Sequence, residues 1–160
     1  MEDAMEKIVF DSGIKEYQIN NNGVLRFNPS DPNVYARFFD AVDQIEKIEQ
    51  DLVTKGESIK NSESNDEVAN GEAAIRLLRE ADKRVKELLG EVFGPGNDFD
   101  ELLGSINIMA VAANGERVVT NFMNALLPVI EREAKKCTEL KVDDAVNQAK
   151  MNRAQRRAQK

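Results

Sequence analysis

Apolar residues recur at two different periods along this chain. Up to residue 28 they come in short, partly alternating runs; from residue 32 onward they return every three or four positions. The first pattern predicts strands and the second predicts amphipathic helices.

Lys7–Phe10 is a short apolar run that predicts a strand. After Gly13, the residues Ile14, Tyr17 and Ile19 sit in a partly alternating segment. Asn20-Asn21-Asn22-Gly23 predicts a turn, because Asn and Gly accept positive φ at little cost. Val24, Leu25 and Phe27 then predict a second strand. Residues 14–28 read as a hairpin, and 6–10 add a third strand, so the β region spans 6–28. A sheet this small is marginal alone and must pack on a helix or on another subunit.

Ser30-Asp31-Pro32 is a helix-start signature. Val34, Phe38, Ala41, Ile45, Ile48 and Leu52 then step by 4, 3, 4, 3 and 4, which predicts a helix over about 32–54. Residues 54–71, rich in Gly, Ser, Asn, Asp and Glu, read as a frayed helix end and a loop. Ile75, Leu78, Val85, Leu89 and Val92 predict a second helix over about 72–93, with Asp82 interrupting the seam. Gly94-Pro95-Gly96-Asn97 ends it. A short helix over 98–103, capped by Asn97 or Asp98, and an apolar connector over 104–109 follow. Val119, Met123, Leu126, Ile130, Ala134 and Cys137 predict a last helix over about 114–139, kinked or restarted at Pro128.

These elements add up to one α+β domain, mainly α, over residues 1–140: a small N-terminal antiparallel hairpin packed on a bundle of about three longer helices. Its near-heptad seams pair either within the chain or between copies in a homo-oligomer. Residues 141–160 form a basic tail with six bases and two acids, a net of +4, while the body carries −11. An overall charge of −7 disfavours nucleic acid and anionic membranes as partners of the body.

Charge and composition also limit the chemistry. The chain has no His, which removes Ser–His and Cys–His nucleophilic sites and the commonest metal ligand. Its single Cys137 forbids an internal disulfide and fits a reducing compartment. Asn97–Glu101 lacks the Gly and the terminal Glu of a calcium loop and reads as a helix cap. Gly94-Pro95-Gly96 follows a helix and lacks the Lys of a phosphate loop. No catalytic residue, metal site or cofactor is expected, and the reading is of a protein that is not an enzyme. The acidic start over Met1–Lys7 is unlike a secretion signal. The longest nearly apolar runs, 106–113 and 125–130, are far short of the roughly 20 residues of a membrane span. A cytoplasmic protein is expected.

Two features point to partner binding. Phe38 and Phe39 are adjacent, so a narrow helix seam buries both only with difficulty, and Ile108 and Met109 lie in a connector. Such residues either fill the core or form an adaptable binding surface. With Phe122 and Met123 they are the candidate apolar contacts. Arg153, Arg156, Arg157 and Lys160 fall at i, i+3, i+4 and i+7, one side of a helix, and offer a basic stripe for phosphates or an acidic protein.

Several segments carry a resemblance: Gly23–Asn28, Asp31–Phe38, Glu91–Gly94, Asn121–Ile130 and Asn152–Arg157. Together they resemble small tail-module proteins of long-tailed phages and prophages of Gram-positive bacteria, a family taken to be tail assembly chaperones. The resemblance implies a non-catalytic helper in the host cytoplasm that binds the tape-measure protein and helps recruit tail-tube subunits. It brings no catalytic residues. Alternatives are a nucleic-acid-associated phage regulatory protein using the basic tail, and a structural tail completion protein.

Overall fold

The structure, a computed structural model, describes residues 4–62, 66–136 and 157. Strands β1 (Lys15–Ile19) and β2 (Gly23–Phe27) form an antiparallel hairpin. Helices α1 (Pro32–Lys60), α2 (Glu67–Phe93) and the short α3 (Phe99–Leu102) follow. A further helix, α4, covers 118–136 of the described residues. The architecture is α+β and mainly helical, as the periodicities predict.

The hairpin turns at Asn20, whose φ of 48° a β-branched residue would resist. Leu25 and Phe27 point into the core, while Val24 and Arg26 face outward. This alternation lays one face of the sheet on the helices. The turn docks on α3: the Asn22 side-chain amide donates to the Leu102 carbonyl at 3.2 Å.

Helices α1, α2 and α3 each begin on an Asp. The carboxylates of Asp31, Asp66 and Asp98 accept backbone N–H groups in the first turns of α1, α2 and α3. Val34, Phe38, Ala41 and Ile45 of α1 pack with Ala81, Val85, Leu88, Leu89 and Val92 of α2, and α4 adds Val119, Leu126 and Ile130. Arg37 donates to the Val92 carbonyl at 3.1 Å, and Arg84 reaches Gln44 at 3.5 Å, so α1 and α2 run antiparallel. The tyrosine hydroxyl of Tyr35 donates to the Ile130 carbonyl and ties α1 to α4. Neither α1 beyond Ile45 nor α2 before Ala81 has a fully buried residue. Those distal halves form a two-helix projection held by half-buried Ile48, Leu52 and Leu78.

Several expectations need correction. Residues 7–10 form no strand, because the chain bends at Gly13 and no neighbouring edge pairs with them. Helix α1 runs on to Lys60 and α2 begins at Glu67, so much of the expected loop over 54–71 is helical. Asp66 supplies the cap that the composition of this stretch obscures. The last helix starts at 118 rather than near 114. The residues before it form a tight loop closed by a Val111–Arg117 bridge, with Gly115 at φ 83°. Helix α4 continues through the exposed Pro128 without a restart. Cys137 lies outside the described residues.

Candidate functional site

An apolar groove of about 510 Å³ lies between the hairpin and α4. Tyr17, Ile19 and the Asn20–Asn22 turn form one wall. Val118, Phe122, Ala125 and Val129 of α4 form the other, and Leu103 and Ile106 close one side. The α4 residues step by 4, 3 and 4, which makes a second apolar stripe beside the core stripe Val119, Met123, Leu126 and Ile130. A helix with two such stripes has more apolar width than one core consumes, and the surplus lines the groove.

Three polar arrangements hold the groove in shape. The first is the Asp82–Lys86–Asp100 network under the connector. Lys86 Nζ lies 3.0 Å from Asp82, 2.7 Å from Asp100 and 3.0 Å from the Ile106 carbonyl. The same Asp82 oxygen accepts the Ile108 backbone N–H at 2.7 Å. Asn107 adds a bond to the Leu78 carbonyl at 3.1 Å and accepts from the Met109 N–H at 2.8 Å. The polar residue that interrupts the α2 seam is therefore an anchor for the connector. Burial works against the Lys86 charge, but the hydrogen bonds to Asp100 and Asp82 outweigh it and hold its pKa above the ordinary lysine value.

The second arrangement joins the two walls. Lys15, at the start of β1, pairs with Glu133 of α4 at 3.2 Å. Glu133 lies one helical turn beyond Val129, and its side chain is only 11% exposed. The hydrogen bond from Lys15 is the largest cause that holds the Glu133 carboxyl below its ordinary value. Burial opposes it, and the charges of Lys136, Lys15 and Arg132 assist. The third is a reciprocal amide pair, Asn114 with Asn121 at 2.9 and 3.1 Å, which fixes the loop before α4 to its first turn.

The hairpin's two edges differ. Asn97 holds the backbone N–H and carbonyl of Arg26, both at 2.9 Å, on the outer edge of β2. In an antiparallel pair such outward groups belong to every second residue. The register pairs Arg26 with Glu16 and Val24 with Gln18. The matching outward groups on β1 are therefore those of Glu16 and Gln18. Neither meets a backbone partner among the described residues. The groove thus runs beside a free strand edge.

The candidate contacts divide. Phe38 is 1% exposed and belongs to the α1 core stripe, whereas Phe39, one residue on, is 52% exposed beside Tyr35. Ile108 and Met109 are buried, because the Asp82 and Asn107 bonds fold the connector under α2. The expected surface role of Phe38, Ile108 and Met109 is therefore corrected: they are core residues. Phe122 is half-buried, lines the groove and packs edge-on against Phe99 at 6.1 Å. Met123 is half-buried against the core and is not in the groove lining. Arg157 is exposed; Arg153 and Arg156, with Lys160, lie outside the described residues.

The periodicity reading passed over Tyr17, Ile19, Val118, Ala125 and Val129 as groove residues; the doubled stripe of α4 is the signal that identifies the last three. It also missed that residues 4–14 leave Met5, Ile8, Val9, Phe10 and Ile14 between 56% and 95% exposed. Among the described residues, no group of three or more acidic, Cys or His side chains is placed to hold a metal ion. Nor is any helix among them long and apolar enough to cross a membrane. Comparison with protein-family models, with curated proteins and with solved structures finds no match.

Proposed function

We propose that this protein is a non-catalytic assembly chaperone that holds an apolar segment of a larger protein in the groove between β1 and α4. In the setting that the sequence resemblance suggests, the client is a phage tape-measure protein, bound in the host cytoplasm while tail-tube subunits are recruited. One observation carries this reading: the Asn121–Ile130 segment, one of the stretches that carry the resemblance, supplies Asn121, Phe122, Ala125, Leu126 and Val129 to the groove. A groove walled by apolar side chains, with few polar groups to dictate a sequence, suits varied greasy segments. The acidic body then keeps the loaded complex soluble.

Co-expression with the tape-measure protein tests the proposal. The client is expected in the soluble fraction with the native chain and in the pellet with Ala125→Arg. Ala125 lies on the exposed rim of the groove, so the substitution blocks the site without opening the core. A client equally soluble with and without this protein would sink the proposal.

A further inference from the structure

We infer that residues 4–14 are an exchange arm, and that the arm of one copy docks on the β1 edge and groove of a second copy to form a two-fold dimer. Among the described residues, nothing of the same chain covers the arm's apolar side chains. Met5, Ile8, Val9, Phe10 and Ile14 are exposed, and none of them lines the groove. Among the described residues the sheet they would extend is unpaired at both Glu16 and Gln18 on the β1 edge, whereas on the β2 edge Asn97 takes the outward groups of Arg26 and leaves those of Val24. Asn28 fixes where the arm departs. Its side-chain amide donates to the Ser12 carbonyl at 3.0 Å and lies 2.8 Å from where a Gly13 side chain would stand. Gly13 itself sits at φ 73°, accessible at no cost only to glycine. This clamp holds the bend against the chain leaving β2, so the arm does not return along β1 of its own chain.

The dimensions agree. Met5–Phe10, if extended, spans about 20 Å, and the α4 wall from Val118 to Val129 rises about 16 Å. Ile8 and Phe10 share one face of an extended strand and enter the groove when the arm backbone pairs with Glu16 and Gln18. At roughly 100 Å² per apolar side chain, Ile8 and Phe10 bring about 200 Å² of each arm into the groove, and two arms with the surfaces they cover bury on the order of 800 Å² of apolar surface, to which the backbone pairing adds. Because the arm joins β1 directly, the exchange is reciprocal, and a two-fold pair satisfies both arms at once. The inference uses the same groove as the proposed client site but needs no client.

The test is the molar mass of the purified full chain by light scattering and sedimentation, without any client. A dimer is expected. Ile8→Asp with Phe10→Asp should convert it to a monomer with unchanged helical circular dichroism, because the arm supports no core. Gln18→Pro should do the same from the other side, since it removes an outward N–H that the hairpin does not use. Mixing the arm variant with Gln18→Pro restores one intact arm and one intact edge, and dimers should reappear. A monomeric native chain would overturn the inference, as would a dimer indifferent to the arm variant. Either result leaves the client assay untouched.

Discussion

The side-chain amide of Asn97 pairs with the backbone of Arg26 as a neighbouring strand would, taking its N–H and giving to its carbonyl, both at 2.9 Å. One residue thereby caps Arg26 on the β2 edge and joins the α2–α3 turn to the sheet; the same amide also donates to Phe93 at 3.1 Å. Asn97→Ala should lower stability by about 1 kcal/mol, the net worth of a partly exposed bond set. It should also make the protein more prone to associate, because Arg26 then joins Val24 in leaving the β2 edge unpaired. Urea denaturation and concentration-dependent scattering measure the two effects.

Asp82 carries two partners, Lys86 and the Ile108 N–H. Asp82→Ala leaves a mostly buried ammonium and a buried amide short of acceptors, and should cost about 2–4 kcal/mol. Asp100→Ala, which removes a carboxylate that is largely exposed, should cost less than about 1 kcal/mol. The Lys86 pKa is raised, so its contribution is fully present below the unfolded value of 10.5 and is lost as pH climbs through the higher folded value. Urea midpoints should therefore fall more steeply above pH 10.5 in the native chain than in Asp82→Ala.

The Lys15–Glu133 clamp acts at the other end of the scale. Glu133 has a depressed pKa, so its contribution is complete above the unfolded value of 4.5 and is lost as pH falls through the lower folded value. Acidification below pH 4.5 should loosen the groove wall at Tyr17. Tyrosine fluorescence should follow that change, and Glu133→Gln should remove it.

Phe38 and Phe39 provide a direct check on which phenylalanine is structural. Phe38→Ala should cost about 3–5 kcal/mol, since it empties a core position between α1 and α2. Phe39→Ala, at a half-exposed site, should cost under about 1 kcal/mol. Thermal denaturation distinguishes them. Equal costs would show that the two residues share the core.

Much of the fold is legible in the chain. The 4–3–4 steps of Val34, Phe38, Ala41 and Ile45 mark the face that α1 buries, and Asn20–Gly23 marks the turn. Asp31-Pro32 marks a helix start, because a carboxylate acceptor and a fixed φ are local properties. The candidate site is less legible. Phe38 and Phe39 have the same chemistry and adjacent positions; only the direction in which α2 lies makes one core and the other surface. Ile108 and Met109 look like a loose connector until Asp82, twenty-six residues away, binds the Ile108 N–H.

The sequence alone determined that a hairpin turning at Asn20–Gly23 precedes amphipathic helices, and that imidazole chemistry is missing, because periodicity, turn residues and side-chain inventory are carried by neighbours along the chain. Tertiary structure decided which apolar stripe of α4 is core and which lines a groove, that Asn97 caps Arg26 on one hairpin edge, and that residues 4–14 stay exposed among the described residues. Those outcomes depend on which distant elements compete for the same surface. No local pattern encodes that competition.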